Sequence, residues 1–293
     1  MKRSAILVSA VALLLLSTLY IHAPVAAQKD KQITPSTPLL TRITTRHDNR
    51  RLGYGGAVTI VGAPAGSITI GGWQRSEVDI SAEVELRAPS AHDLDLLAAV
   101  DTFVVDEDAN HIRIIAIGTH DKKFMKRAKD FPKYLIGLPW KVDYRIKVPS
   151  MCDLAIDAGN GPIKLSGVEG SIRINALESA VDLSLSGSDV SVIIQTGTVN
   201  FTIPARAWHG LRAEIKLASG NLNVGLMPGF NGDIDAEVLR TGEVKNMFPG
   251  LEPRERNSIG TRSVRARAGS GGAMLTFTVG DGMIQIGAVG GRQ

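Results

Sequence analysis

The sequence predicts an all-β protein, a single-domain β-solenoid (β-helix-like) of short strands repeating about every nine residues. A short helix and loop excursions fall in its N-terminal half. Three observations lead there. First, the stretch GPIKLSGVEGSIRI (residues 161–174) repeats one phrase nine residues on, a small residue followed by alternating apolar and basic positions. Second, the chain ahead of it alternates apolar and polar residues with period two, as half-buried strands do. Third, apolar residues make up 44% of the 293 but aromatic ones only 5%, and there are 31 glycines, so an aliphatic core with many turns is expected.

Taken in order, Lys2 and Arg3 precede an apolar run from Ser4 to Tyr20, and Val25, Ala26 and Ala27 supply small residues at the end. This is the pattern of a secretory signal peptide over 1–27, with the mature chain starting at Gln28. The apolar run also approaches bilayer-spanning length, so an uncleaved anchor is the alternative. Either way the chain is expected to be exported, to the periplasm, cell surface or medium. Residues 28–52 are polar without clear period and read as a linker or lead-in, and the strand-repeat domain is expected over 53–290. Ile68 and Ile70, then Val78, Ile80, Ala82, Val84 and Leu86, alternate with polar residues. Ser90, with Asp93 three positions on, opens a short helical pattern whose apolar side is Leu94, Leu97 and Ala98. Strand character returns at 103–106, at 111–117 and, after an interruption over 119–140, at Val142, Tyr144, Ile146 and Val148.

From Cys152 the nine-residue step reaches Gly161, Gly170, Ser179, Ser188 and Gly197. The second and fourth residues after these six starts are Leu154/Ile156, Ile163/Leu165, Ile172/Ile174, Val181/Leu183, Val190/Val192 and Val199/Phe201. All are apolar, while the residues between them are mostly polar. Looser units follow at Leu211/Ala213/Ile215, Leu222/Val224, Ile234/Ala236/Val238, Val244, Leu275/Phe277/Val279 and Ile284/Ile286. Each unit is a strand of about five residues and a turn of about four. No such strand buries its apolar face alone, so stacked courses must share one column. Two or three units per coil both satisfy the period, and an antiparallel sandwich of hairpins is the competing architecture.

Three phrases then carry a resemblance: GSITIGGWQRSEVDISAEVEL, VDYRIKVPSMCDLAIDAGNGPIKLSGVEGSIRINAL and GGAMLTFTVGDGMIQIG. In their order the chain resembles, over about residues 53–290, the bacterial β-strand-repeat domain family known as putative adhesins. Several units here start with Ser instead of Gly, and 119–140 and 245–271 are long excursions. The resemblance implies an exported, β-helix-like envelope protein. It implies no catalytic residues and no cofactor.

The residues themselves offer little chemistry. Cleavage would remove two of the 33 basic residues, leaving the rest close to balance with the 29 acidic ones. That speaks against a nucleic-acid binder. Cys152 is the sole cysteine, so no internal disulfide forms, and it reads as a small buried hydrophobe at a strand start. No paired His or Cys spacing suggests a metal site. His120 and Asp121 adjoin in a polar loop, without a third group to make a dyad. Asp157, Asp182, Asp189, Asp233, Asp235 and Glu237 face outward, and an enzyme acting on polysaccharide would need such acids to converge on one groove. That is the alternative to the main expectation, a non-enzymatic surface-binding scaffold for an unknown envelope component. The candidate binding residues for an anionic surface, lipid headgroups or an acidic glycan, are Lys122, Lys123, Lys126, Arg127, Lys129 and Lys133, interleaved with Phe124, Met125 and Phe131. The competing reading is a solvated loop whose phenylalanines cap the column.

Overall fold

In the computed structural model the described residues are 38–128, 130–255 and 259–289. The signal-peptide reading of 1–27 lies outside them. Among the described residues no helix is long and apolar enough to cross a membrane.

The chain runs β1 (Leu40–Arg51), β2 (Ala57–Val61), β3 (Ile68–Trp73), β4 (Glu77–Ala88), α1 (Ala91–Ala98), β5 (Thr102–Asp108), β6 (His111–Ile117), α2 (Lys122–Met125) and β7 (Trp140–Pro149). It continues through β8 (Asp153–Asn160), β9 (Ile163–Ser166), β10 (Ser171–Ser184), β11 (Asp189–Ile203), β12 (Arg212–Leu226), β13 (Gly232–Asn246), β14 (Leu251–Pro253), β15 (Ser263–Ala268) and β16 (Met274–Ala288). These sixteen strands join in one open hydrogen-bonded sheet, ordered β1-β4-β7-β3-β9-β10-β11-β12-β16-β13-β15-β14, with β2, β5, β6 and β8 branching from it.

The nine-residue period sets the pairing. Ile172 lies between Leu154 and Val190, and Val181 between Ile163 and Val199, all in parallel register. Side-chain bonds between neighbouring courses span 18 residues here, two repeat units. All twelve apolar positions of the six strict units are buried. Fully burying a branched aliphatic side chain contributes about 1.5–3 kcal/mol, so the column is the main source of stability. Of the looser units, Leu211 is an exception at 80% exposed, and its unit begins at Ala213.

The strands are longer than the expected five residues, because two units fuse across each corner. In β10 burial falls on 172, 174 and 176, then resumes at 179, 181 and 183. The alternation slips by one over Leu177 and Glu178, so both halves bury inward while hydrogen bonding continues. A spine of small residues makes this possible: Ser179 pairs with Gly197, Gly197 with Gly220, Gly220 with Gly282 and Gly282 with Gly242. At Gly220 φ is +136°, and a Cβ would sit 1.8 Å from the Gly197 carbonyl oxygen. Only glycine combines that conformation with that approach.

One repeat does not run from end to end. At the first end β1–β4, β4–β7 and β5–β6 are antiparallel, and at the other β13–β15 and β14–β15 are. The 28–52 lead-in contains β1, a twelve-residue edge strand. Its alternation is hidden because the inward positions are charged: Arg46, Asp48 and Arg50 stand opposite Ala82, Ile80 and Val78. Arg46 lies 4.6 Å over the Phe103 ring and donates to the Phe103 carbonyl, and Arg50 pairs with Asp48 at 2.8 Å. Inward charge on an edge also discourages further strand pairing. The expected helix is α1, capped by Ser90, which accepts from the Asp93 N–H. Leu94 and Leu97 are buried and Ala98 is exposed.

Candidate functional site

Between β8 and β9 the corner takes only two residues, Gly161 and Pro162. Between β6 and β7 it takes residues 118–139. Asp121 starts α2 by accepting from the N–H groups of Lys123 and Phe124, which hold its carboxyl below the usual range. Lys122 and Lys123 lie on α2, Lys126 at its C-cap, Arg127 just beyond it, and Lys133 on a 3₁₀ turn (Lys133–Leu135); all five are exposed. Lys129 lies outside the described residues.

Among the described residues none of those five cations forms an ion pair, though Lys123 lies close enough to Asp121 to interact with it electrostatically. On the repeat faces cations are mostly paired: Arg212 with Asp189, Lys216 with Glu214, Arg240 with Asp281 and Arg267 with Asp233. The apolar side of the segment is anchored. Leu135 is fully buried, Phe131 packs on the core, and Phe124 and Met125 are half-buried. Tyr134 donates to Asp93 at 2.7 Å, tying the segment to α1. Anchored phenylalanines and outward cations therefore coexist in one loop.

Beneath the segment lies Asp101, 1% exposed. One carboxylate oxygen accepts from the Thr119 N–H at 2.6 Å and the other has no partner. Burial pushes its pKa up. Gly118 permits the approach, since a Cβ there would stand 2.2 Å from the Asp101 carboxylate. His120 lies 5.3 Å from Trp140, ring to ring, and is exposed.

The acids expected to face outward do not converge, and one of them, Asp233, is buried against Arg267 instead. Asp157 accepts from Asn175, and Asp182 from Asn200, which in turn accepts from Asn223. Asp189 is paired with Arg212, Asp233 with Arg267 and Asp235 with Arg254. Glu237 stands exposed beyond them. Five of the six are held by neighbouring strands, and among the described residues no three His, Cys, Asp or Glu side chains are grouped to hold a metal ion. Cys152 is buried, and burial pushes its thiol up to about 12, far from a reactive thiolate.

A second hollow joins residues distant in sequence. Tyr54, Trp73, Gln74, Arg75, Ser150 and Met151 line it, at the corner opposite the cationic segment. Trp73 belongs to one of the three phrases quoted above. Nothing in the sequence places Tyr54 and Ser150 beside it, because three separate turns meet only through strand order.

No family model matches the chain, and no curated protein matches it. Among the solved structures similar to it are the following two. One is a putative cell adhesion protein from Clostridium sporogenes ATCC 15579, 12% identical, TM-score 0.44, covering 84% of this chain and 100% of its own. The other is a putative adhesin from Bacteroides fragilis NCTC 9343, 13% identical, TM-score 0.35, covering 84% of this chain and 97% of its own. Likeness at this level carries no functional inference.

Proposed function

We infer that the protein is a non-enzymatic, exported cell-envelope protein, an adhesin-like scaffold. Its parallel courses act as coils of a β-solenoid with two repeat units per coil, and its binding element is the loop that interrupts them. The target is an anionic envelope surface, presented by lipid headgroups or by an acidic glycan. One observation carries this reading: Lys122, Lys123, Lys126, Arg127 and Lys133 are exposed and unpaired on a loop whose apolar side is anchored. A flexible tail with these charges would lose more entropy on binding than an anchored loop does. The outward acids, tied to neighbouring strands, favour a scaffold over an enzyme acting on polysaccharide.

The test is co-sedimentation with vesicles of anionic phospholipid and pull-down on an acidic glycan resin. Binding to one of them should weaken as salt rises, because exposed charges are screened over about 8 Å at physiological ionic strength. Replacing Lys122, Lys123, Lys126 and Arg127 with Ser should abolish it. A wild-type protein that ignores both at low salt would sink the reading. Export is tested separately, by the intact mass of the protein recovered from its host, expected to begin at Gln28.

A further inference from the structure

The geometry points to a binding pocket for a single sugar ring bearing a carboxylate, of the uronic-acid type, in the hollow lined by Tyr54, Trp73, Gln74, Arg75, Ser150 and Met151. This site is separate from the cationic loop and does not depend on it.

The frame is rigid. The turn before β2, the turn after β3 and the turn after β7 are joined by backbone bonds: Leu52 donates to Ser76 at 3.1 Å, Ser150 to Trp73 at 2.9 Å and Asp153 to Gly56 at 3.0 Å. The Trp73 indole N–H donates to the Glu77 carbonyl at 2.8 Å, which orients the ring and removes its polar N–H from the hollow. Tyr54, on the facing turn, is 88% exposed. Its ring therefore stands open to a ligand, with the phenol edge free to bond water or a hydroxyl.

The polar groups narrow the ligand. Gln74 donates to Ser150 at 3.3 Å, so an amide and a hydroxyl stand ready to exchange bonds with ligand hydroxyls. Arg75 lies 4.9 Å from the Trp73 ring centroid and reaches Glu77 only at 3.4 Å, leaving N–H groups of its guanidinium free for a carboxylate. The same guanidinium already holds the cation-attracting face of the indole, so a cationic ligand is repelled. The volume is about 190 Å³. That is below the roughly 300–1,000 Å³ of pockets for drug-sized ligands, and it suits one ring. A ring with an apolar face, several hydroxyls and one negative charge meets all of these conditions.

Intrinsic fluorescence tests this, because Trp140 and Trp208 are buried and Trp73 is the half-exposed indole. Glucuronic acid should perturb the emission saturably in the millimolar range, with glucose weaker and choline without effect. Tyr54→Ala and Arg75→Gln should each weaken glucuronic acid by about five- to tenfold, as expected for losing one stacking or one ionic contact. Tyr54→Phe should bind as wild type, and all three variants should keep the wild-type melt. The fourfold Ser variant of the cationic loop should bind glucuronic acid normally, which separates this site from the proposed function. No saturable change up to about 100 mM glucuronic acid would overturn the proposal at that affinity scale. So would equal binding of glucose, stronger binding of choline or adenosine monophosphate, or an unchanged response in Tyr54→Ala.

Discussion

The parallel courses of β8 to β13 and β16 and the antiparallel end built from β1, β4 to β7 and α1 share one core but handle polar groups in opposite ways. In the courses each strand faces a near copy of itself. Asp182, Asn200 and Asn223 pass hydrogen bonds along the stack, and the acids meet arginines or asparagines at the same register. Stacking like on like lets a polar side chain find its partner one course away. At the antiparallel end there is no copy to face. Asp101 is buried with one oxygen unpartnered, the Tyr144 hydroxyl is buried without a partner, and among the described residues five cations of the loop form no ion pair. Regularity uses up the polar groups of the middle, and irregularity leaves those of the end free for function or costly to stability.

The sharpest way to break this contrast is at the spine. Gly220→Ala should cost roughly 3 kcal/mol or more, since the new Cβ meets a carbonyl at 1.8 Å in a backbone conformation that resists side chains. Ser179→Ala, two positions along the same spine, should cost about 1 kcal/mol, for the bond from its hydroxyl to the Gly161 carbonyl. Equal urea midpoints for the two variants would show that the spine does not set the corner.

Next comes the column itself. Ile172→Asp buries an unpaired charge and should cost about 4 kcal/mol, against about 0.5 kcal/mol or less for the neighbouring exposed Arg173→Ser. Denaturant melts with similar losses at the two positions would refute the register.

At the irregular end the sign reverses. Asp101→Asn keeps the oxygen that Thr119 needs and removes a buried charge, so it should raise stability by about 1 kcal/mol at neutral pH. Because burial raises the carboxyl's pKa in the folded protein, the folded state holds this proton more tightly than the unfolded chain does. The wild type therefore loses stability as pH rises from the ordinary carboxylate value of 3.8 through the raised one, and levels off above it. The Asn variant lacks that loss, so its advantage should vanish at the acid end of a pH series of thermal melts. The smallest effect is expected at the loop: the fourfold Ser variant should melt within about 0.5 kcal/mol of wild type, because exposed unpaired charges contribute little to folding.

Much of the middle was legible from sequence, because its rule is local. Leu154 through Phe201 show which residues point inward by alternation alone, and the register follows once two units make a course. The ends were not. β1 shows no apolar alternation, because its inward face carries Arg46, Asp48 and Arg50. The corner hollow was equally hidden, since Tyr54, Trp73 and Ser150 are brought together by strand order and not by spacing. The cationic loop could be picked out as a run of charge, but its anchoring through Leu135 and through the Tyr134–Asp93 bond could not.

The position of β16 bears on the order of assembly. This last strand lies in parallel between β12 and β13, pairing Ala213 with Leu275 and Ile234 with Leu275 from either side. As the chain emerges, β8 to β12 can add course upon course, each closing a short loop. β13 can then pair only with β15, and must wait until β16 arrives to bridge it to the stack. Contacts that close long loops form slowly. A chain threaded through a membrane in an unfolded state would thus keep these courses open until β16 has passed, and a truncation just before Met274 would leave exposed the β12 and β13 edges that β16 covers.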